Sequence, residues 1–253
     1  MSKNRANNAE DYYAQPHAVL KNDDLLTEIL IRLPILCICL FTSVSKQWLR
    51  ILTSPDFTRN RCQIPNLDPP VGLFVSHIKH VFKCDFVSFD SRIQSRKCTV
   101  ENVFAFASIE AGMNFKIVQS CNGLLLCIGS GWPYVYNLST NLFKMLPLPD
   151  YSHADSPYYI NVGLIMAFDP IKSLNYKVLH AGQTSSHIDI RTYCSKIGNW
   201  SMCKDWFPFF DLFHFKGAIY LNGALHWLQI AYFGLKHYKL NIEEHDHPIL
   251  TSI

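Results

Sequence analysis

Few residues of this 253-residue chain are spaced as a chemical site would require. His77 and His80 are three residues apart, and Cys84 follows them. Within one strand that spacing places the two imidazoles on opposite faces, so it does not favour a shared metal ion. Cys37 and Cys39 lie in an apolar segment without a second cysteine pair nearby, which is typical of buried thiols.

The common signatures of catalysis do not occur in the sequence. It contains no GxSxG, HExxH, P-loop or GxGxxG motif. The carboxylates after residue 70 are dispersed, and no two of them can be assigned to one site. His226 lies between apolar residues, where a packed histidine is more common than a pocket residue. The sequence therefore predicts no catalytic residue, no metal and no cofactor.

The composition indicates a folded protein with reduced thiols. Hydrophobic residues make up 49% of the chain, which is enough for a sizeable core. The nine cysteines are odd in number and form no CxxC pair, and the polar N-terminus lacks a secretory signal, so we expect the protein in the cytoplasm or nucleus. The net charge is only +3 and no apolar run spans a bilayer, so we expect neither nucleic-acid nor membrane binding.

The segment from Leu20 to Leu52 carries three short helical patterns. Asn22 is a good N-cap for the first, and Pro34 ends that helix and can open the second. Ser45 can cap the third, which Pro55 stops. The apolar stripes of these helices are too wide for a core of this size, so the segment resembles one half of an interface.

The chain after residue 70 consists of short apolar runs bounded by turn residues, without helical periodicity. This pattern predicts antiparallel strands. Two stretches, Tyr136 to Phe143 and Tyr193 to Trp200, share the same spacing of aromatic residues around a polar turn, and Met145 and Met202 follow at equivalent places. Asn222 and Gly223 predict a type I′ hairpin in a third round. Repeats of this length and strand content are typical of propeller blades.

The first segment also resembles a known motif. DDLLTEIL, RLP and SVSKQWL, in this order, resemble an F-box, the helical motif that docks substrate receptors on the Skp-type adaptor of cullin-containing ubiquitin ligases. The segment ILCICLFT departs from the basic or small polar residues usual there. The resemblance implies that nine residues dock the adaptor or support the docking helices. They are Leu25, Leu26, Ile29, Leu30, Leu33, Pro34, Val44, Trp48 and Leu49.

The second part resembles the F-box-associated domain of plant F-box proteins, a kelch-like relative of the β-propellers. The residues that carry this resemblance are SCNGLLLC, YVYNLSTNLFKMLPLP, AFDPIKSLNYKV, NWSMCKD and GAIYLNGALHWL. The resemblance implies target recruitment by this domain and further repeats beyond residue 253, so we expect a truncated, incomplete propeller. The predicted division is a disordered N-terminus (1–18), the F-box (19–60), a linker (61–70) and the β domain (71–253).

Together these patterns predict an α+β multidomain protein, in which a small three-helix F-box precedes an all-β, propeller-like and incomplete antiparallel domain. Aromatic residues in loop-like positions of that domain are candidates for an exposed target-binding face, although they could instead fill the gaps between blades. They are Trp132, Tyr134, Trp206, Phe207, Phe209 and Phe210.

The function that these predictions favour is a non-catalytic substrate receptor. It would bind a Skp-type adaptor, through it a cullin, and an unidentified protein target. Two alternatives stay open: a protein-interaction module that serves no ligase or is a non-functional relic, and a propeller enzyme or lectin. The latter would need a metal or clustered acids at the propeller axis.

Overall fold

A computed structural model of the chain describes residues 19–65, 67–70, 72–77, 80–89, 98–99, 115–129, 131–149, 160–183, 187–202, 207–208, 217–231, 234–242 and 250–252. The main boundary between its two compact units falls between Pro70 and Val71. The predicted disorder of residues 1–18 lies outside the described residues. In the described ranges, no helix is long and apolar enough to cross a membrane.

Among the described residues of the first unit, residues 19–21 are helical and four short helices follow them. They are α1 (Asp23–Leu30), α2 (Ile35–Phe41), α3 (Lys46–Leu52) and α4 (Pro55–Cys62). The predicted caps of α1 and α3 are confirmed: the Asn22 side chain accepts hydrogen bonds from two backbone amides of α1, and Ser45 accepts one from Trp48. Pro34 occupies the N-cap of α2 rather than its first helical position.

Helix α4 is a correction to the sequence analysis, which ended the helices at Pro55. Pro55 does end α3, but it also occupies the first turn of α4, where its missing amide hydrogen costs nothing. The Ser54 side chain caps this helix by accepting a hydrogen bond from the Phe57 amide at 3.2 Å. Ser, Pro and Asp in succession are typical of the start of a helix. The sequence analysis missed this signal because it assigned the proline-rich segment to a linker.

Over the residues that the structure describes, the second unit contains antiparallel strands in four successive sheets. Sheet 1 contains β1 (Gly72–His77), β2 (His80–Ser88) and β3 (Cys98–Thr99). Sheet 2 contains β4 (Phe115–Cys121), β5 (Leu124–Gly129), β6 (Trp132–Asn137) and β7 (Leu142–Met145). Sheet 3 contains β8 (Ile160–Ala167), β9 (Lys177–Gln183), β10 (His187–Cys194), β11 (Asn199–Met202) and β12 (Phe207–Pro208). Sheet 4 contains β13 (Ile219–Leu221), β14 (Ala224–Ala231), β15 (Gly234–Asn241) and β16 (Leu250–Ser252).

Sheet 3 is covered on both faces by its neighbours. Successive residues of β9 alternate between two cores, because strand side chains point to opposite faces in turn. Val178 joins a cluster shared with sheet 2, whereas Leu179 joins one shared with sheet 4. The Gln119 carboxamide of sheet 2 also pairs with the backbone of Met166, accepting at 2.7 Å and donating at 3.1 Å. This stacking is the arrangement of propeller blades.

The predicted repeat is confirmed by the strand register. Tyr136 pairs with Phe143 between β6 and β7, and Tyr193 pairs with Trp200 between β10 and β11. The predicted hairpin at Asn222 and Gly223 is confirmed as well, since both residues have positive φ and Leu221 pairs with Ala224. The predicted fold class, a helical unit followed by an antiparallel propeller-like region, is therefore confirmed.

Candidate functional site

Helix α1 presents two different apolar stripes. Leu26 and Leu30 are only 2% and 1% exposed and belong to the core of the helical unit. Leu25 and Ile29 are 48% and 51% exposed, and their spacing of four residues places them on one face of the helix. One stripe therefore folds the unit, and the other remains available for a partner.

The core of the unit draws on all four helices. Its buried residues are Leu26, Leu30, Ile31, Ile38, Ile51, Leu52 and Phe57. Leu33 and Trp48 are half-buried against this core, and the Trp48 ring meets the Phe41 ring edge to face at 5.2 Å between centroids. These two side chains therefore contribute to the core as well as to the surface.

Several large apolar side chains of the helical unit are exposed. They are Leu20, Leu25, Ile29, Leu40, Val44 and Leu49. Single exposed apolar residues are ordinary, but this many within thirty residues of a small unit make them candidates for a binding surface. We call these six residues the apolar surface. The sequence analysis did not include Leu20 and Leu40 among its candidates.

The predicted adaptor-binding residues thus fall into three groups. Leu25, Ile29, Val44 and Leu49 are exposed members of the apolar surface, and Pro34 is exposed at the turn between α1 and α2. Leu33 and Trp48 are half-buried. Leu26 and Leu30 are core residues, so they can support a docking surface but not form it.

A polar network joins the start of α1 to α3. The Asp23 carboxylate accepts a hydrogen bond from the Gln47 side chain at 2.7 Å and forms an ion pair with Arg50. These hydrogen bonds, that from Gln47 first, hold the pKa of Asp23 below its ordinary value. Gln47 also donates to the Leu20 carbonyl at 3.2 Å. The network links the two helices that carry Leu25 and Leu49.

The predicted target-binding aromatics of the β region have different surroundings. Trp132 is 38% exposed at the start of β6. Tyr134 is only 6% exposed, and successive residues of β6 are buried on both faces of the strand, so Tyr134 does not belong to an exposed face. Phe207 lies in β12 and pairs with Ile188. Trp206, Phe209 and Phe210 lie outside the described residues.

The histidines that the sequence analysis considered as metal ligands are placed as follows. His77 and His80 are partners in the register of β1 and β2, so they do not lie on one strand as the sequence analysis assumed. His226 Nδ1 and His237 Nε2 are 3.0 Å apart, and the two rings are stacked with an angle of 12° between their planes. Within the described ranges, no group of three or more His, Cys, Asp or Glu residues could hold a metal ion.

Comparison with known proteins identifies the helical unit. Residues 22–60 match the F-box domain family. The chain is 29% identical over 241 residues to F-box protein At5g07610 of Arabidopsis thaliana, covering 88% of this chain and 54% of that protein. It is 25% identical over 227 residues to the putative F-box/kelch-repeat protein At1g12870 of the same plant, covering 83% of this chain and 53% of that protein.

These matches show that the chain contains an F-box domain and is similar to F-box proteins of a plant, which agrees with the resemblance seen in its sequence. A further similar protein is the F-box/kelch-repeat protein At2g43445 of Arabidopsis thaliana, 26% identical over 82% of this chain and 47% of that protein. The chain thus spans about half the length of the curated relatives it matches. No solved structure matches the chain.

Proposed function

We propose that the chain is a substrate receptor that docks a Skp-type adaptor through its helical unit and recruits a protein target through its β region. At the level of the family, F-box proteins act as adaptor subunits of Skp–cullin–F-box ubiquitin ligases. The recruitment of a target, and its identity, belong to the proposal.

One observation carries the proposal. The F-box match at residues 22–60 covers the part of the chain that exposes Leu25, Ile29, Val44 and Leu49. Complete burial of such a side chain is worth roughly 1.5–3 kcal/mol, and about half of each of these four is exposed, so a partner that covers them gains on the order of half that amount from each. The buried stripe of α1 keeps the exposed stripe in place.

The proposed receptor positions its target and does not itself make or break a covalent bond. Holding a target near a ubiquitin-conjugating enzyme turns a bimolecular encounter into an effectively intramolecular one. The residues required for this role are apolar docking residues on one unit and a recognition surface on the other. We therefore propose a non-catalytic subunit. Among the residues that the structure describes, the exposed Trp132 is a candidate for contact with the target.

Co-expression of the full chain with a Skp-type adaptor, followed by size-exclusion chromatography, tests this function. We expect a soluble one-to-one complex that persists at moderate salt, since apolar burial is not screened by ions. Elution of the folded chain without the adaptor would contradict the proposal and favour an interaction module that serves no ligase. Leu142→Asp is a suitable control, because Leu142 is exposed but lies in β7.

A further inference from the structure

Arg61 is a buried cation in the last turn of α4. Its side chain is 7% exposed, and its guanidinium donates three hydrogen bonds, one of which is also an ion pair. Nη1 donates to the backbone carbonyl of Ile31 at 2.8 Å and to that of Leu33 at 2.6 Å. Nη2 donates to the Asp68 carboxylate at 2.5 Å. We call these contacts the Arg61 clamp.

The two carbonyls belong to the turn that follows α1. Helix α1 ends at Leu30, and the chain continues through tighter backbone hydrogen bonds from Arg32 to Ile29 and from Leu33 to Leu30. The last carbonyls of a helix lack partners within it and carry its partial negative charge. A guanidinium that donates to this turn therefore has two favourable effects. It satisfies backbone carbonyl acceptors, and its positive charge stabilises the negative end of the helix dipole.

The turn lies between two parts of the proposed docking surface. It leads from Ile29 on α1 to the exposed Pro34 that opens α2. The neighbouring Arg32 does not brace it, because its side chain turns back along α1 to the Glu28 carboxylate at 2.7 Å. The clamp thus reaches the turn from a helix that contributes no residue to the apolar surface.

The chemistry of the clamp requires an arginine. The planar guanidinium presents several donors in a fixed fork, which a lysine ammonium does not reproduce. Asp68 neutralises the buried charge, and its own side chain stays partly exposed. Removal of the fork would leave the turn carbonyls unsatisfied in a site that water does not readily reach.

We propose that Arg61 is a positioning residue for the adaptor-docking turn at Leu33 and Pro34. Its side chain is buried, so it acts through the backbone carbonyls of the turn. This inference rests on the proposed adaptor-binding function and adds a residue that lies outside the docking surface itself.

Adaptor affinity of Arg61→Met and Arg61→Lys, each in the full chain, tests the proposal. We expect both variants to bind the Skp-type adaptor at least about tenfold more weakly than the wild type, because neither preserves the fork. Arg59→Met is the matched control, since Arg59 is exposed on the same helix and pairs with Asp56. We expect its affinity within about twofold of the wild type.

A second control separates positioning from loss of stability. Leu52→Ala removes a buried core side chain of α3 and destabilises the same unit without removing a hydrogen bond to the turn. The affinities are compared at a temperature where circular dichroism shows all variants folded. Amide hydrogen exchange at Arg32 and Leu33 is measured in parallel, and we expect it to be selectively faster in the Arg61 variants.

The outcomes distinguish the two claims. If the wild type binds the adaptor and the Arg61 variants bind as tightly as folded Leu52→Ala, the positioning role is wrong and the proposed function stands. If the wild-type chain does not bind the adaptor, the proposed function is wrong, and the positioning role fails with it.

Discussion

His180 lies directly opposite Arg191 in the register of β9 and β10, and both side chains are buried. The His180 ring also meets the Trp200 ring edge to face, at 6.4 Å between centroids. Burial first, and the Arg191 charge second, lower the pKa of His180 from 6.5 to about 4. The histidine is therefore neutral in the folded protein at neutral pH. Its protonation in the folded state lowers the stability of the β region.

This relationship predicts a pH-dependent stability. Between pH 6.5 and about 4 the unfolded chain binds a proton at His180 that the folded chain does not, so stability falls as the pH falls through this window. The full loss is on the order of 3 kcal/mol, at about 1.4 kcal/mol per pKa unit. Urea unfolding of wild type and His180→Gln across this range measures it. Equal pH dependence in the two proteins would contradict the account.

Asp23 predicts that the stability of the helical unit also depends on pH, at lower pH values than the effect of His180. Its pKa in the folded protein lies below 3.8, so its contribution is complete above that value and is lost as the pH falls through the folded pKa. Asp23→Asn keeps the shape of the side chain and removes the titration. We expect thermal unfolding followed at 222 nm to show a smaller loss below about pH 4 for the variant than for the wild type.

The two stripes of α1 predict opposite effects of truncation. Leu30→Ala removes a fully buried side chain and should cost about 2–5 kcal/mol of stability. Ile29→Ala removes an exposed one and should change stability by less than about 1 kcal/mol. Chemical denaturation of both variants measures the difference. A larger loss of stability for Ile29→Ala than for Leu30→Ala would contradict the assignment of Leu30 to the core and of Ile29 to the surface.

The turn between β4 and β5 predicts a backbone effect. Asn122 and Gly123 both have positive φ, at 44° and 83°, as a type I′ turn requires. An added Cβ at Gly123 meets nothing within 4 Å, so only backbone strain opposes it. We expect Gly123→Ala to cost about 1–2 kcal/mol and Gly123→Asn less, because asparagine tolerates this region. Comparable losses for the two variants in urea unfolding would argue against this cause.

Local signals explain what the sequence predicted well. The caps at Asn22 and Ser45 and the hairpin at Asn222 and Gly223 depend on neighbouring residues alone. The repeated pairing of Tyr136 with Phe143 follows from strand alternation around a short turn. These features could be predicted because the residues that decide them are close together in the chain.

Long-range contacts explain what the sequence did not predict. Arg61 reaches carbonyls 28 and 30 residues away, and no motif marks that contact. The burial of Tyr134 depends on what packs against its face of the sheet, which residues close to it in the sequence do not reveal. The division of α1 into a core stripe and an exposed stripe likewise depends on where α3 and α4 pack.

The affinity of Ile29→Asp for the Skp-type adaptor tests the central claim most directly. Ile29 is exposed, so the charge should leave the helical unit folded, which circular dichroism checks. By titration calorimetry with the full chain we predict binding at least about tenfold weaker than for the wild type, with Leu142→Asp unchanged. Equal affinity of Ile29→Asp and the wild type would contradict docking through the apolar surface.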